Sequence, residues 1–391
     1  MKALVKIFGV LFVLVFTACQ KETIESQQNN DAAADEKTAL KFDFKIRRKT
    51  LTAKEWSERA DLAARHSHTS LVFDNKMWII GGKGDAEIPK NDVRYSYNGI
   101  NWYTATSSAP FPPRFGHASA VFQGKMWVVG GKQYDPEDHD DQWDPKHDHD
   151  VQDDEYSELN DVWSSSDGVN WELVISDADF EPRNDHTLTA FAGSLWLIGG
   201  TSNDQSYAIC CGYRDIWKSS NGSDWEKVTD MAPFNLRSSH TTLVVGRTLV
   251  LVGGDIKNGQ GEIWYSLDGD NWNKALENLT FGDRRSHTLV HDGEFLWLIA
   301  GYGSPSPYAG LQNDVWFSKN GTEWFEAGST QQFPIRQNHT SLYFINKLWV
   351  INGLGGPDKA QVHYSALSDI WSLEEPGCCD IDDITIGFPK D

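Results

Sequence analysis

Six short apolar runs, each closed by a pair of small residues, interrupt an otherwise polar chain: MWIIGG at 77–82, MWVVGG at 126–131, LWLIGG at 195–200, LVLVGG at 249–254, LWLIAG at 296–301 and LWVING at 348–353. Four consecutive apolar residues bounded by glycine match a strand buried on both faces and are short for a buried helix. The first residue of each closing pair stands thirteen residues after a histidine, and that histidine three residues after an arginine. The resulting Arg-x-x-His motifs are Arg65/His68, Arg114/His117, Arg183/His186, Arg237/His240, Arg284/His287 and Arg336/His339. Beyond each doublet a further strand is predicted to end at Trp163, Trp217, Trp264, Trp316 or Trp371, with Arg94 in that place in the first copy. Eight residues later, across Asn-Gly or Asp-Gly (98/99, 167/168, 221/222, 268/269, 320/321), stands another tryptophan, at 102, 171, 225, 272 and 324. Such dipeptides suit the two-residue type I′ hairpin, so each unit is expected to close with a tight turn.

A unit of about fifty residues repeated six times points to a propeller or solenoid. Four strands per unit predict an all-β chain folded as a six-bladed β-propeller with four antiparallel strands per blade. The sixth copy ends at Trp371, while Trp56 stands nine residues before Arg65, where other copies place a tryptophan twelve residues before the arginine. An N-terminal strand around Trp56 is therefore expected to complete the last blade and close the ring. This assigns sixteen of the seventeen tryptophans to blade positions and leaves only Trp143 outside. The doublet after an apolar strand, the later tryptophan and the Arg-x-x-His before the next blade resemble kelch repeats, as in the central domain of galactose oxidase, over residues 50–375. The resemblance implies the fold and leaves function open, because kelch propellers include enzymes, glycan binders and protein-binding modules.

The N-terminus carries Lys2 and Lys6, an apolar run from Gly9 to Phe16, then Thr17-Ala18-Cys19. The run is too short to span a bilayer and reads as a removable signal over 1–18. Its end resembles a bacterial lipoprotein signal, with Phe16 where leucine is usual, which implies acylation of Cys19 and membrane attachment through its acyl chains. Residues 19–49 are mostly polar and read as a flexible tether. Gln20-Lys21-Glu22 resembles a surface-export signal, which favours display on the outer surface of an outer membrane over the periplasmic leaflet.

A formal charge of −21 argues against a nucleic-acid partner. Beyond Cys19 the cysteines form two adjacent pairs, Cys210-Cys211 and Cys378-Cys379, the second in a tail at 376–391. Structural disulfides are the plainer reading, and both connectivities stay open: two vicinal rings, or two bridges tying the tail to the third blade. No cofactor is expected. The loop at 132–159 is acidic and contains His147-Asp148-His149-Asp150; a solvated loop is the plainer reading, and a Zn²⁺ or Ca²⁺ site the alternative.

Only one spacing varies strongly between copies, from the doublet to the third-strand tryptophan position: 13, 33, 18, 11, 16 and 19 residues. Length variation confined to one loop class marks the functional face. In an up-and-down blade these loops emerge on the same side as the Arg-x-x-His motifs. That face would gather the six arginines and six histidines with Tyr134, Trp143, Tyr207, Tyr213, Tyr302, Tyr308, His363 and Tyr364. Two readings follow: a basic, aromatic-rimmed mouth for an anionic ligand, or a structural bracket repeated in every blade.

The internal cysteines do not supply the Tyr-Cys cross-link of galactose oxidase, and a sialidase is disfavoured because Ser165 to Trp171 is one residue short of the sialidase box. The expected function is a cell-envelope lipoprotein binding a glycan or protein through the long-loop face. The alternatives are an enzyme acting on an acidic sugar, resembling sialic-acid mutarotases, and a structural subunit of an envelope complex.

Overall fold

The computed structural model describes residues 57–135, 156–202, 212–256, 261–304, 310–328, 332–356 and 364–374. Every apolar run becomes the second strand of a four-stranded antiparallel sheet. In blade 1 the strands are Thr69–Phe73, Lys76–Ile80, Val93–Ser96 and Trp102–Thr106, each paired with the next. The same meander recurs from Ala118–Phe122, Thr187–Phe191, Thr241–Val245, Thr288–His291 and Thr340–Phe344. These six strands are the innermost of their blades and neighbour one another in a closed circuit, the last beside the first. The described residues therefore form a six-bladed β-propeller, with one short 3-10 turn at Asp85–Glu87. No helix among them is long and apolar enough to cross a membrane.

The sixth blade borrows its outer strand. Ser57–Asp61 pairs antiparallel with Ser365–Glu374, with Ser57 opposite Ser372 and Asp61 opposite Asp369. This is the expected ring closure; Trp56 itself lies outside the described residues, as do 1–56 and 375–391 with the signal, tether and tail expected there.

The core is a set of six seams. Each apolar cluster draws on two adjacent blades, as where Trp78, Ile80, Val93 and Phe111 of blade 1 pack against Met126, Val128, Trp163 and Trp171 of blade 2. A phenylalanine near the end of each unit stands edge-on to the outer-strand tryptophan of the next blade, with Phe111–Trp171, Phe180–Trp225, Phe234–Trp272 and Phe281–Trp324 centroids 5.1–5.5 Å apart. Edge-to-face packing of this kind adds to the burial of two large rings. Every described tryptophan except Trp102 is buried.

The closing hairpins differ from the expected type I′ turn. Only the glycine of each Asx-Gly pair has positive φ (Gly99, Gly168, Gly222, Gly269, Gly321), whereas type I′ needs it at both central residues. The loop has five residues, with Ser96 opposite Trp102 in register. A buried serine and the Asx side chain hold it instead: in blade 2, Ser165 Oγ accepts from Gly168 N–H and Asp167 Oδ1 accepts from Val169 and Asn170 N–H. The glycine is also needed for room. A β-carbon on Gly168 would come 2.2 Å from the Trp78 ring of the preceding blade.

Replacing Trp171 or Trp225 with alanine removes one ring of an edge-to-face pair from a packed seam. The expected cost is about 3–5 kcal/mol of folding free energy, read as a fall in the midpoint of denaturant unfolding.

Candidate functional site

Each motif arginine joins two blades. Its backbone belongs to the blade before it: Arg114 N–H donates to Lys90 O and Arg114 O accepts from Gly82 N–H, and Arg65, Arg183 and Arg237 are held in the same way. Its guanidinium reaches into its own blade. There Nη1 donates to the carbonyl of Gly81, Gly130, Gly199, Gly253, Ala300 or Asn352 at the end of the apolar run. In five blades the fork closes on both oxygens of a third-strand aspartate, Asp92, Asp161, Asp215, Asp314 or Asp369, at 2.6–3.0 Å. In blade 4, Glu262 takes Arg237 through one oxygen at 3.1 Å. The same carboxylates accept the indole N–H of Trp163, Trp217, Trp264, Trp316 and Trp371 at 2.6–2.8 Å. In blade 1 Arg94 Nε donates in place of the indole.

The motif histidines lie in the seams. Nε2 of His68, His117, His240, His287 and His339 meets the hydroxyl of Thr340, Thr69, Thr187, Thr241 and Thr288, the threonine that opens the preceding inner strand, at 3.0–3.3 Å. The sixth seam lacks this pair because Ala118 stands in the threonine position, and among the described residues His186 Nε2 meets no hydroxyl. Burial, then the neighbouring arginine charge, lowers all six histidines, with His117, His186 and His287 at about 3. They are neutral in the fold.

Between arginine and histidine stand two residues that face the axis. The second of them, Ser67, Gly116, Asp185, Ser239, Ser286 or Asn338, has φ of 51–62°. This conformation turns the six amides head to tail. Each N–H donates to the carbonyl of its counterpart in the preceding blade, and Ser67 N–H closes the ring on Asn338 O, all at 2.8–3.1 Å. The first of the two forms the surrounding wall and pairs with the residue after the doublet: His66 with Lys83, Phe115 with Lys132, Asn184 with Thr201, Ser238 with Asp255, Arg285 with Tyr302 and Gln337 with Leu354. The ring is thus the floor of a mouth on the long-loop face.

Around this floor the charges are mostly matched. His66 Nε2 meets Glu87 Oε1 at 3.1 Å, Lys83 meets Glu87 Oε2 at 3.2 Å, and together they hold the exposed Glu87 carboxyl at about 2. Lys132 lies 3.4 Å from Glu158, and Arg285 pairs with Asp255. Aromatic rings back the cations: Lys83 sits 4.1 Å from the Phe115 ring and 4.3 Å from Tyr156, and Arg285 4.7 Å from Tyr302. Asp185 differs: among the described residues it forms no salt bridge, and its Oδ2 accepts from Ser239 Oγ. Burial raises its carboxyl, partly offset by Ser239, Lys132 and His66.

The twelve repeated residues are therefore brought to the wall beneath the mouth and not to its surface: the arginines are 0–1% exposed and the histidines 4–6%. With every guanidinium matched by a carboxylate, the bracket reading describes all six arginines. Tyr213 is partly buried, with its ring 4.2 Å from the Arg183 guanidinium. Tyr302 lies on the rim, Tyr134 stands against Tyr156, and Tyr364 is exposed at the start of the last third strand. Tyr207, Tyr308, Trp143, His363, Cys19, Cys210, Cys211, Cys378, Cys379, His147, Asp148, His149 and Asp150 lie outside the described residues. No group of His, Cys, Asp or Glu suited to hold a metal occurs among the described residues. Sequence reasoning missed the carboxylate, although Asp/Glu-x-Trp, or Asp92-x-Arg94, is legible in every copy, and it passed over the two residues inside each motif.

A sequence family described as the KLHDC2/KLHL20/DRC7 Kelch-repeats domain matches residues 28–254. Among solved structures, one titled "Structure of YjhT" is similar with a TM-score of 0.60 at 17% identity, covering 81% of this chain and 96% of its own. No curated protein matches the chain.

Two outcomes follow from the seams. His117, His186 and His287 protonate in the unfolded chain below about 6.5 and in the fold only near 3, so unfolding takes up protons within that window and stability falls as pH falls across it, by about 2 kcal/mol per histidine at pH 5. Melting midpoints measured from pH 7 to 5 will decline, less steeply in a His287→Asn variant. Ala118→Thr supplies the missing hydroxyl to His186 and is expected to stabilise the fold by about 1 kcal/mol in denaturant titrations.

Proposed function

The chain belongs to the kelch-repeat family, and we propose that it is a cell-envelope lipoprotein whose propeller binds a polar ligand, a glycan in preference to a protein, through the mouth on its long-loop face. One observation carries the reading. Within each Arg-x-x-His the outer residues are identical in all six blades and buried, while the inner pair differs from blade to blade and lies at the amide ring, with His66, Gly116, Asn184 and Ser238 buried and the other eight partly exposed: His-Ser, Phe-Gly, Asn-Asp, Ser-Ser, Arg-Ser and Gln-Asn. A scaffold explains the uniform positions. The varied ones present donors, acceptors and one aromatic ring around an axis, the kind of lining that fixes a hydroxylated ligand in place.

Neutralisation of the six arginines changes the ligand expected. The basic mouth that favoured an anion is replaced by a mixed one in which Lys83, Lys132 and Arg285 each face a carboxylate. Membrane attachment through acylated Cys19 and surface display remain part of the proposal, on the strength of the N-terminal resemblance.

Calorimetric titration of the chain from residue 40 onward against neutral, acidic and amino oligosaccharides tests the binding reading. Binding that drops about tenfold in Tyr302→Ala and in Arg285→Ala, with unchanged melting midpoints, is the expected outcome; binding insensitive to both would move the site away from the mouth. Metabolic labelling with palmitate tests the anchor, with label lost in Cys19→Ser.

A further inference from the structure

One sector of the mouth carries a hydroxyl, an imidazole and a carboxylate in hydrogen-bonded sequence. His66 Nδ1 lies 3.1 Å from Ser67 Oγ, and His66 Nε2 lies 3.1 Å from Glu87 Oε1. Glu87 is ionised near neutral pH, since His66 and Lys83 hold its carboxyl at about 2. A carboxylate only accepts, so Nε2 is the nitrogen that carries the ring proton. In the neutral imidazole Nδ1 is then the acceptor, and Ser67 Oγ donates to it. Glu87 thus sets the direction of both bonds.

Blade 1 alone has this pair. The counterparts of His66 are Phe115, Asn184, Ser238, Arg285 and Gln337, none of them a base at neutral pH. Ser239 and Ser286 stand in the place of Ser67, at φ of 54° and 51° against its 52°, without a histidine before them. The carboxylate is presented at a conformational cost: Ala86 and Glu87, neither of them glycine, both have φ of 58°. Strain of this kind persists where surrounding contacts hold it, and it collects at functional sites. Here His66, Lys83 and the Tyr156 hydroxyl, which donates to Glu87 O at 3.3 Å, hold the turn. Ser67 is partly exposed at the ring, whereas His66 is buried, so the hydroxyl can be reached while the base is shielded from water.

We propose that Ser67 is a nucleophile activated by His66, with Glu87 as the positioning residue, and that it attacks the carbonyl carbon of carboxylic esters. Oγ forms the bond to that carbon while its proton passes to Nδ1. The tetrahedral intermediate expels the alcohol, whose oxygen takes the proton from Nδ1, and an ester of Ser67 remains. Water then gives a proton to Nδ1 and attacks the same carbon, and the acid leaves as Oγ regains the proton. The imidazolium formed in each step is stabilised by the Glu87 carboxylate. These are the roles of a serine hydrolase triad with the two ring nitrogens exchanged. The Ser67 N–H is committed to Asn338 O at 2.9 Å and does not serve the oxyanion, so covalent labelling of the hydroxyl is a more direct readout than turnover. The proposal adds chemistry to the mouth and does not depend on which ligand binds there.

The test is reaction of the full chain in detergent, near neutral pH, with a fluorophosphonate probe and with p-nitrophenyl acetate. The probe is expected to form a phosphonate ester on Ser67 with loss of fluoride, located by mass spectrometry of the tryptic peptide 66–76. The repeat itself supplies variants that the frame tolerates: Ser67→Gly takes the residue of Gly116, and His66→Gln that of Gln337. Ser67→Gly is expected to abolish the label, and His66→Gln to slow labelling and ester hydrolysis about a hundredfold, both with unchanged melting midpoints. Glu87→Gln is expected to lower kcat for hydrolysis about tenfold with KM unchanged, a split that a merely structural role would not give. No label at Ser67, labelling at an unchanged rate in His66→Gln, or hydrolysis that persists in Ser67→Gly would overturn the nucleophile and leave the mouth as a ligand site, which the oligosaccharide titrations test separately.

Discussion

The buried fork between a guanidinium and a carboxylate is the constraint on which this propeller depends. A guanidinium cannot be placed in a seam without an acceptor for its charge, and leaving one unmatched costs about 3–5 kcal/mol. Each arginine here has its backbone in one blade and its charge satisfied in the next. The carboxylate then also fixes the indole of the third strand, so one side chain sets the position of the doublet, the third strand and the neighbouring sheet together. Such a pair adds little net stability over a well-packed apolar replacement, and its contribution is to select one register.

The second consequence is at the axis. With the arginines and histidines fixed in the wall, the two residues between them are forced inward, and the positive φ of the inner one lets six amides bond in a ring. The backbone groups at the floor are therefore satisfied without help from side chains. The side chains there are free to differ, and they do.

Departures from repetition acquire meaning against so regular a frame. Gly116, Ala118 and Asp185 each forgo an interaction that their counterparts make or add a charge that theirs lack, and all three lie in one seam.

The fold was legible in the chain because its determinants are local and periodic. Apolar runs, doublets and tryptophans at fixed spacing report strands directly, and the unpaired last copy with Trp56 called for the closing strand observed at Ser57–Asp61. The hairpins were read less well. Asn-Gly is common to several turns, and the choice depended on a buried serine whose hydroxyl only the folded loop brings to the glycine amide. The residues at the axis were passed over, because Arg-x-x-His drew attention to its repeated ends. Which of four consecutive side chains faces the axis depends on backbone dihedrals at a ring closed by residues 271 positions apart, Ser67 and Asn338. The sequence determined the blades, their number and their closure; tertiary structure decided that the arginines are neutralised, because their carboxylates lie 25–47 residues away in sequence and meet them only once the sheet has formed.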